Sequence, residues 1–203
     1  SILLTEANGF FELGYSIFMI DFRGHGNSDG HTTTYGINET EEVKLAYDWV
    51  KAKGEDNIVL YGLSLGAVVV AKSIHDHNLQ PSKIILEAPF KDLRSHLRGR
   101  ARVLGFPSEP FATLVCFWIG VERGFNGFKL KTSRYVKKIN CPVLLQYGTE
   151  DKYVTPGETQ HVFENIASQK KQLALHKNIG HEIYINREPE NWKKEVQAFL
   201  EEP

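Results

Sequence analysis

Asn57-Ile58-Val59-Leu60-Tyr61-Gly62-Leu63-Ser64-Leu65-Gly66-Ala67-Val68-Val69-Val70-Ala71 is the stretch on which the fold turns. Its apolar first third reads as a buried strand and its Ala/Val-rich last third as a helix, so the pattern G-x-S-x-G falls at a strand-to-helix turn. A serine hydroxyl is a weak nucleophile unless it is held exposed, next to a base and beside donors for an oxyanion. A tight turn answers the first and third needs. The glycines two before and two after Ser64 are expected to let neighbouring backbone pack close.

Two later segments supply partners. Pro142-Val143-Leu144-Leu145-Gln146-Tyr147 reads as a buried strand ending in Gly148-Thr149-Glu150-Asp151, and the short strand Leu173-Ala174-Leu175 leads on to Gly180-His181. The chain order is serine, acid, histidine, the order of a nucleophile-elbow site. Together with Asp21-Phe22-Arg23-Gly24-His25-Gly26-Asn27-Ser28 and Leu86-Glu87-Ala88-Pro89-Phe90, these motifs follow one another along nearly the whole chain. On them the sequence resembles the α/β-hydrolase superfamily, in particular its small single-domain serine hydrolases of monoacylglycerol-lipase-like and depalmitoylase-like type.

The resemblance implies an α/β fold over residues 1–203: a mostly parallel sheet flanked by helices, with a small helical cap inserted at about 91–138. It implies a catalytic triad of Ser64 as nucleophile, His181 as general base and Asp151 as the acid that orients it. Glu150 is the rival for the acid's place. The backbone N–H of Leu65 is one expected oxyanion donor. The second normally comes from a loop that would precede Ser1. The N-terminal strands of the fold are likewise expected to be absent from this chain, which starts without a methionine in the middle of a helix. The implied activity is cleavage of a small-molecule carboxylic ester or thioester through an acyl-enzyme, without cofactor or metal. Two alternatives stay open: a peptidase of the same fold, and a binding or receptor protein that keeps the triad residues but turns over poorly.

Outside the motifs, helical and strand patterns alternate, the mark of a parallel α/β sheet. Helices are expected over about 1–13, 39–53, 156–167 and 190–201, and strands at 15–21, 57–61, 83–87, 142–147 and 172–176. Gly24, Gly26 and Gly30 have the wrong spacing for a dinucleotide loop and open no helix.

The stretch 91–138 breaks the alternation. It carries eleven basic and three acidic residues, a balance of +8 in a chain of net charge −1. It also holds the apolar patch Phe111, Leu114, Val115, Phe117, Trp118 and Ile119. A basic, apolar lid suits an acyl chain with an anionic head, with Phe111, Phe117, Trp118, Arg98 and Arg102 as substrate contacts, or peripheral docking to anionic lipid. The plainer alternative is a solvated arginine face and aromatics that pack the lid onto the core. No nucleic-acid-binding motif accompanies the basic run. The longest nearly apolar stretch, Phe111 to Val121, is eleven residues, too short to span a bilayer. Cys116 and Cys141, far apart and without metal spacing, read as core thiols, which favours a reducing, cytoplasmic compartment.

Overall fold

Four of the apolar runs become strands: β1 (Val59–Leu63), β2 (Lys83–Glu87), β3 (Val143–Gly148) and β4 (Lys171–His176). They belong to a computed structural model that describes residues 3–202. All pair in parallel in the order β1-β2-β3-β4, with Leu60 opposite Ile84, Leu86 opposite Leu145 and Leu145 opposite Leu173.

Successive side chains of a strand point to opposite faces, and helices cover both. Leu60, Ile84, Leu86, Val143 and Leu145 pack beneath α2 (Glu39–Ala52), α3 (Leu65–His77), α6 (Thr132–Tyr135) and α7 (Pro156–Asn165). Val59, Tyr61, Ile85 and Leu144 pack against α1 (Leu4–Glu12), α8 (Tyr184–Arg187) and α9 (Pro189–Glu201). Both sides of β2 and β3 are buried, which explains their near-continuous apolar sequence. A lysine at the start of a strand closes the end of a helix on each side. Lys83 Nζ donates to the carbonyls of Phe199 (3.0 Å) and Leu200 (2.8 Å), and Lys171 Nζ to those of Phe163 (3.0 Å) and Ile166 (2.9 Å). These carbonyls lie in the last turn or at the cap of α9 and α7, where donors from the helix itself run out.

Within 91–138, α4 (Leu93–Val103) and α5 (Phe111–Arg123) lie together as a helical cap, whereas α6 packs on the sheet. Asp92 and Ser95 make a reciprocal capping box at the start of α4. Leu93, Leu97, Ala112 and Cys116 pack over Val68 of α3, Phe90, Tyr147 and Val154. The cap therefore sits over the ends of the strands from which the site is built.

One expected strand does not form. Residues 15–20 run without ladder partners, and Ile17, Phe18, Met19 and Ile20 stay exposed. A strand exists only by pairing, and no neighbouring strand stands beside this segment among the described residues. Phe18 instead stacks on Trp49 of α2, with ring centroids 4.8 Å apart. The helix expected over about 1–13 is present as α1; Ser1 and Ile2 lie outside the described residues.

Candidate active site

Ser64 is the residue between β1 and α3, with φ +52° and ψ −110°. Its N–H donates to the Glu87 carbonyl at 2.8 Å, which fixes the turn to the end of β2. The two flanking glycines differ in what they permit. A Cβ on Gly62 would lie 2.5 Å from the carbonyl carbon and oxygen of Gly66, closer than real Cβ contacts come. A Cβ on Gly66 would meet nothing within 4 Å. The close approach expected of both is thus required at Gly62 alone.

The loops after β3 and β4 bring up the other two groups. Thr149 N–H donates to the His176 carbonyl, Glu150 N–H to the Ile179 carbonyl (both 2.9 Å), and Asn178 N–H to Thr149 Oγ1 (3.0 Å). A Cβ on Gly148 would strike the Ile179 and Gly180 carbonyl oxygens at 2.4 and 2.5 Å, so only glycine lets the loops clamp this closely. The Asp151 side chain is fully buried; its Oδ1 accepts from Tyr153 N–H (2.7 Å) and Val154 N–H (2.9 Å). Its Oδ2 lies 2.6 Å from His181 Nδ1, and His181 Nε2 lies 3.0 Å from Ser64 Oγ. A carboxylate only accepts, so Nδ1 carries the proton and Nε2 faces the serine hydroxyl as an acceptor. Three side chains from three loops form one relay. Glu150 is exposed, and it is Asp151 that meets the imidazole.

Leu65 is the first residue of α3, so its N–H belongs to the turn whose donors have no acceptor within the helix. The positive end of the α3 dipole lies at the same place.

The cap residues divide by partner. Arg98 Nε lies 2.7 Å from Glu109 Oε1, which Arg94 also meets at 2.7 Å, while Thr113 Oγ1 donates to Glu109 Oε2 at 2.6 Å. The Thr113, Arg98 and Arg94 contacts hold the Glu109 carboxyl down at about 2. Arg102 Nη2 donates to the Tyr153 carbonyl at 3.2 Å. Gly99, three residues earlier, passes so close to that carbonyl that a Cβ would be 2.1 Å from the oxygen. Arg98 and Arg102, expected to face substrate, thus brace the cap and the acid's loop. Arg100, absent from the sequence reading of the site, is exposed and meets a histidine of its own helix. Its Nε donates to His96 Nε2 at 3.0 Å. Burial, then the charges of Arg100 and His181, push the His96 pKa down to about 4, so its imidazole is neutral. The His96 ring rests on Phe90, with centroids 4.6 Å apart.

Phe111, Phe117 and Trp118, also expected to touch substrate, stand on the outer face of α5 and are exposed. Among the described residues, no group of three or more His, Cys, Asp or Glu side chains is arranged to hold a metal ion.

A family model described as serine aminopeptidase, S33, matches residues 4–121 and 128–190. The chain belongs to that family. It is an α/β-hydrolase fold, shared with the esterase Pf2001 of Pyrococcus furiosus (TM-score 0.75, 25% identical, 97% of this chain and 74% of that one). A monoacylglycerol lipase of Paleococcus ferrophilus has the same fold (TM-score 0.67, 21% identical, 97% and 89% covered). Among curated family relatives, lysophosphatidylserine lipase ABHD12 of Xenopus tropicalis is 29% identical over 197 residues, covering 88% of this chain and 48% of the relative. Uncharacterized protein YqkD of Bacillus subtilis is 26% identical over 196 residues, covering 95% and 64%. The chain thus spans between about half and two thirds of the length of these two relatives.

Proposed function

We propose that the protein is a serine hydrolase that cleaves carboxylic esters or thioesters through an acyl-enzyme on Ser64. The observation that carries this reading is the unbroken relay from Ser64 Oγ through His181 (3.0 Å) to the buried Asp151 (2.6 Å). In the first half-reaction Ser64 Oγ attacks the acyl carbon as its proton passes to His181 Nε2. Asp151, held by two backbone donors, stabilises the imidazolium without taking the proton itself. The oxyanion accepts from the Leu65 N–H at the positive end of α3. Collapse expels the alcohol or thiol, which leaves with the proton from His181. Water then repeats the sequence on the acyl-enzyme, releasing the acid and regenerating Ser64.

The cap and the relatives' names, a lysophosphatidylserine lipase and a monoacylglycerol lipase, support a substrate class. We infer an acyl ester whose head group is anionic and lies toward Arg100. Arg94 and Arg98 share Glu109, and Arg102 serves the acid's loop, whereas Arg100 is exposed and its partner His96 feels the charge of His181.

Incubation with a fluorophosphonate probe tests the hydrolase reading. A stoichiometric adduct mapped to Ser64 by mass spectrometry, absent in Ser64→Ala, is expected. A folded protein that takes up no probe overturns the enzyme reading in favour of a binding protein. Aminoacyl amides assayed beside acyl esters separate a peptidase from an esterase.

A further inference from the structure

The helix α5 is built inside out for a helix on a water-facing surface. Such a helix turns large apolar side chains inward and polar ones outward. In α5 the fully buried stripe is small, Ala112, Cys116 and Gly120, flanked by the partly buried Val115 and Ile119. Its outer face is Phe111 (40% exposed), Leu114 (55%), Phe117 (52%), Trp118 (63%) and Val121 (56%). Phe106, on the turn before it, extends the patch by stacking on Phe111 with centroids 5.7 Å apart. The small residues let the chain after α5 fold back on the helix: a Cβ on Gly120 would reach the Phe125 carbonyl oxygen at 2.5 Å. Packing therefore explains the inner face and leaves the outer one without a partner among the described residues. Exposed patches of this kind mark interaction surfaces.

We propose that the outer face of α5 docks the protein on a membrane surface rich in anionic lipid, with Trp118 and Phe117 at the headgroup boundary. The helix has 13 residues, and among the described residues no helix is long and apolar enough to cross a membrane, so the contact is peripheral. Aromatic and leucine side chains on one face are what an interfacial helix presents. Charge selects the occupant. The segment 91–138 carries +8 and includes the exposed Lys129 and Lys131 just beyond α5. A second copy meeting this face across a two-fold axis would set the stretch 93–131, with seven basic and two acidic residues, against its own copy, a like-charge juxtaposition. An anionic leaflet attracts the same cap.

The test uses the Ser64→Ala protein, so that it stands or falls apart from the hydrolase reading. It also carries Trp49→Phe, because Trp192 is fully buried and Trp118 then becomes the exposed tryptophan probe. Co-sedimentation with phosphatidylcholine vesicles, with and without phosphatidylserine, reports binding; brominated lipid reports the depth of Trp118. Expected are binding to the anionic vesicles and quenching of Trp118. Leu114→Ser/Phe117→Ser should lower partitioning by at least about tenfold without lowering the melting temperature. Lys129→Glu/Lys131→Glu should weaken binding to anionic vesicles and leave binding to neutral ones unchanged. No binding by the parent protein, binding with Trp118 unquenched, or Leu114→Ser/Phe117→Ser breaking a dimer while vesicle binding persists would each overturn the proposal.

Discussion

Replacing Ser64 by glycine and, separately, by alanine separates the strain of the turn from the chemistry of its hydroxyl. Both variants remove the hydroxyl and its 3.0 Å contact with His181, so that loss cancels between them. They differ in the backbone. Ser64 sits at φ +52° and ψ −110°, where alanine keeps the Cβ penalty and glycine does not. Such conformations cost about 1–3 kcal/mol for a residue with a side chain. Glycine gives back about 0.5–1 kcal/mol through its freer unfolded state. The net is a Ser64→Gly protein more stable than Ser64→Ala by about 0.5–2 kcal/mol, or roughly 1–8 °C in melting temperature at about 2–4 °C per kcal/mol for a domain of this size. At an ordinary position the sign is reversed, so the sign alone decides. Both variants should lose p-nitrophenyl ester cleavage. Calorimetry in one buffer makes the comparison. A glycine variant equal to or less stable than the alanine one refutes a strained elbow, and comparable esterase rates in Ser64→Ala and the parent refute the nucleophile.

The cap arginines should part company in kinetics. Arg100→Ala should raise KM for anionic acyl esters several-fold and leave neutral esters unaffected, whereas Arg102→Ala, which loosens the Tyr153 carbonyl, should lower kcat on both; a steady-state panel of matched neutral and anionic substrates distinguishes them. Glu87 governs the alkaline side of stability. Burial raises its carboxyl to about 8 against an ordinary 4.5, so it is folded in the neutral form, with Oε1 accepting from Trp192 Nε1 at 2.7 Å. The stability it contributes is complete below about pH 4.5 and is lost as pH rises through about 8. Glu87→Gln keeps the acceptor and removes the proton, so the fall in melting temperature between about pH 5 and pH 8.5 should shrink; an unchanged fall places the pH dependence elsewhere.

Much of this was legible in the chain because it is local. The strand, the G-x-S-x-G turn and the helix after it are one contiguous pattern, and Pro156 at the start of α7 together with the Thr155/Glu158 capping box marks its own boundary. What escaped is non-local. Tyr15–Asp21 has the composition of a strand, but composition cannot supply a neighbour to pair with, and the segment stays unpaired. Arg98 and Arg102 look equally free in sequence; that one meets Glu109, eleven positions on, and the other a carbonyl fifty-one positions away depends on how α4 lies. The Ala112-Cys116-Gly120 stripe was the available signal for α5. Small residues at helical spacing say which face is pressed against a neighbour, and so send Phe117 and Trp118 outward.

The cap reaches the acid through the residue Tyr153. Tyr153 gives its N–H to Asp151 Oδ1 at 2.7 Å and its carbonyl to Arg102 at 3.2 Å, while Gly99 lets the α4 backbone close on the same carbonyl. A shift of α4 therefore moves the group that orients Asp151, and through Asp151 the imidazole. The other cap helix, α5, carries Leu114, Phe117, Trp118 and Val121 on its exposed face, so a surface that binds them need not disturb the relay. Docking and chemistry fall on opposite faces of one two-helix unit, with Tyr153 as a link between them. Were docking to alter turnover, the change would travel through Arg102, and Arg102→Ala would uncouple the two while leaving vesicle binding intact.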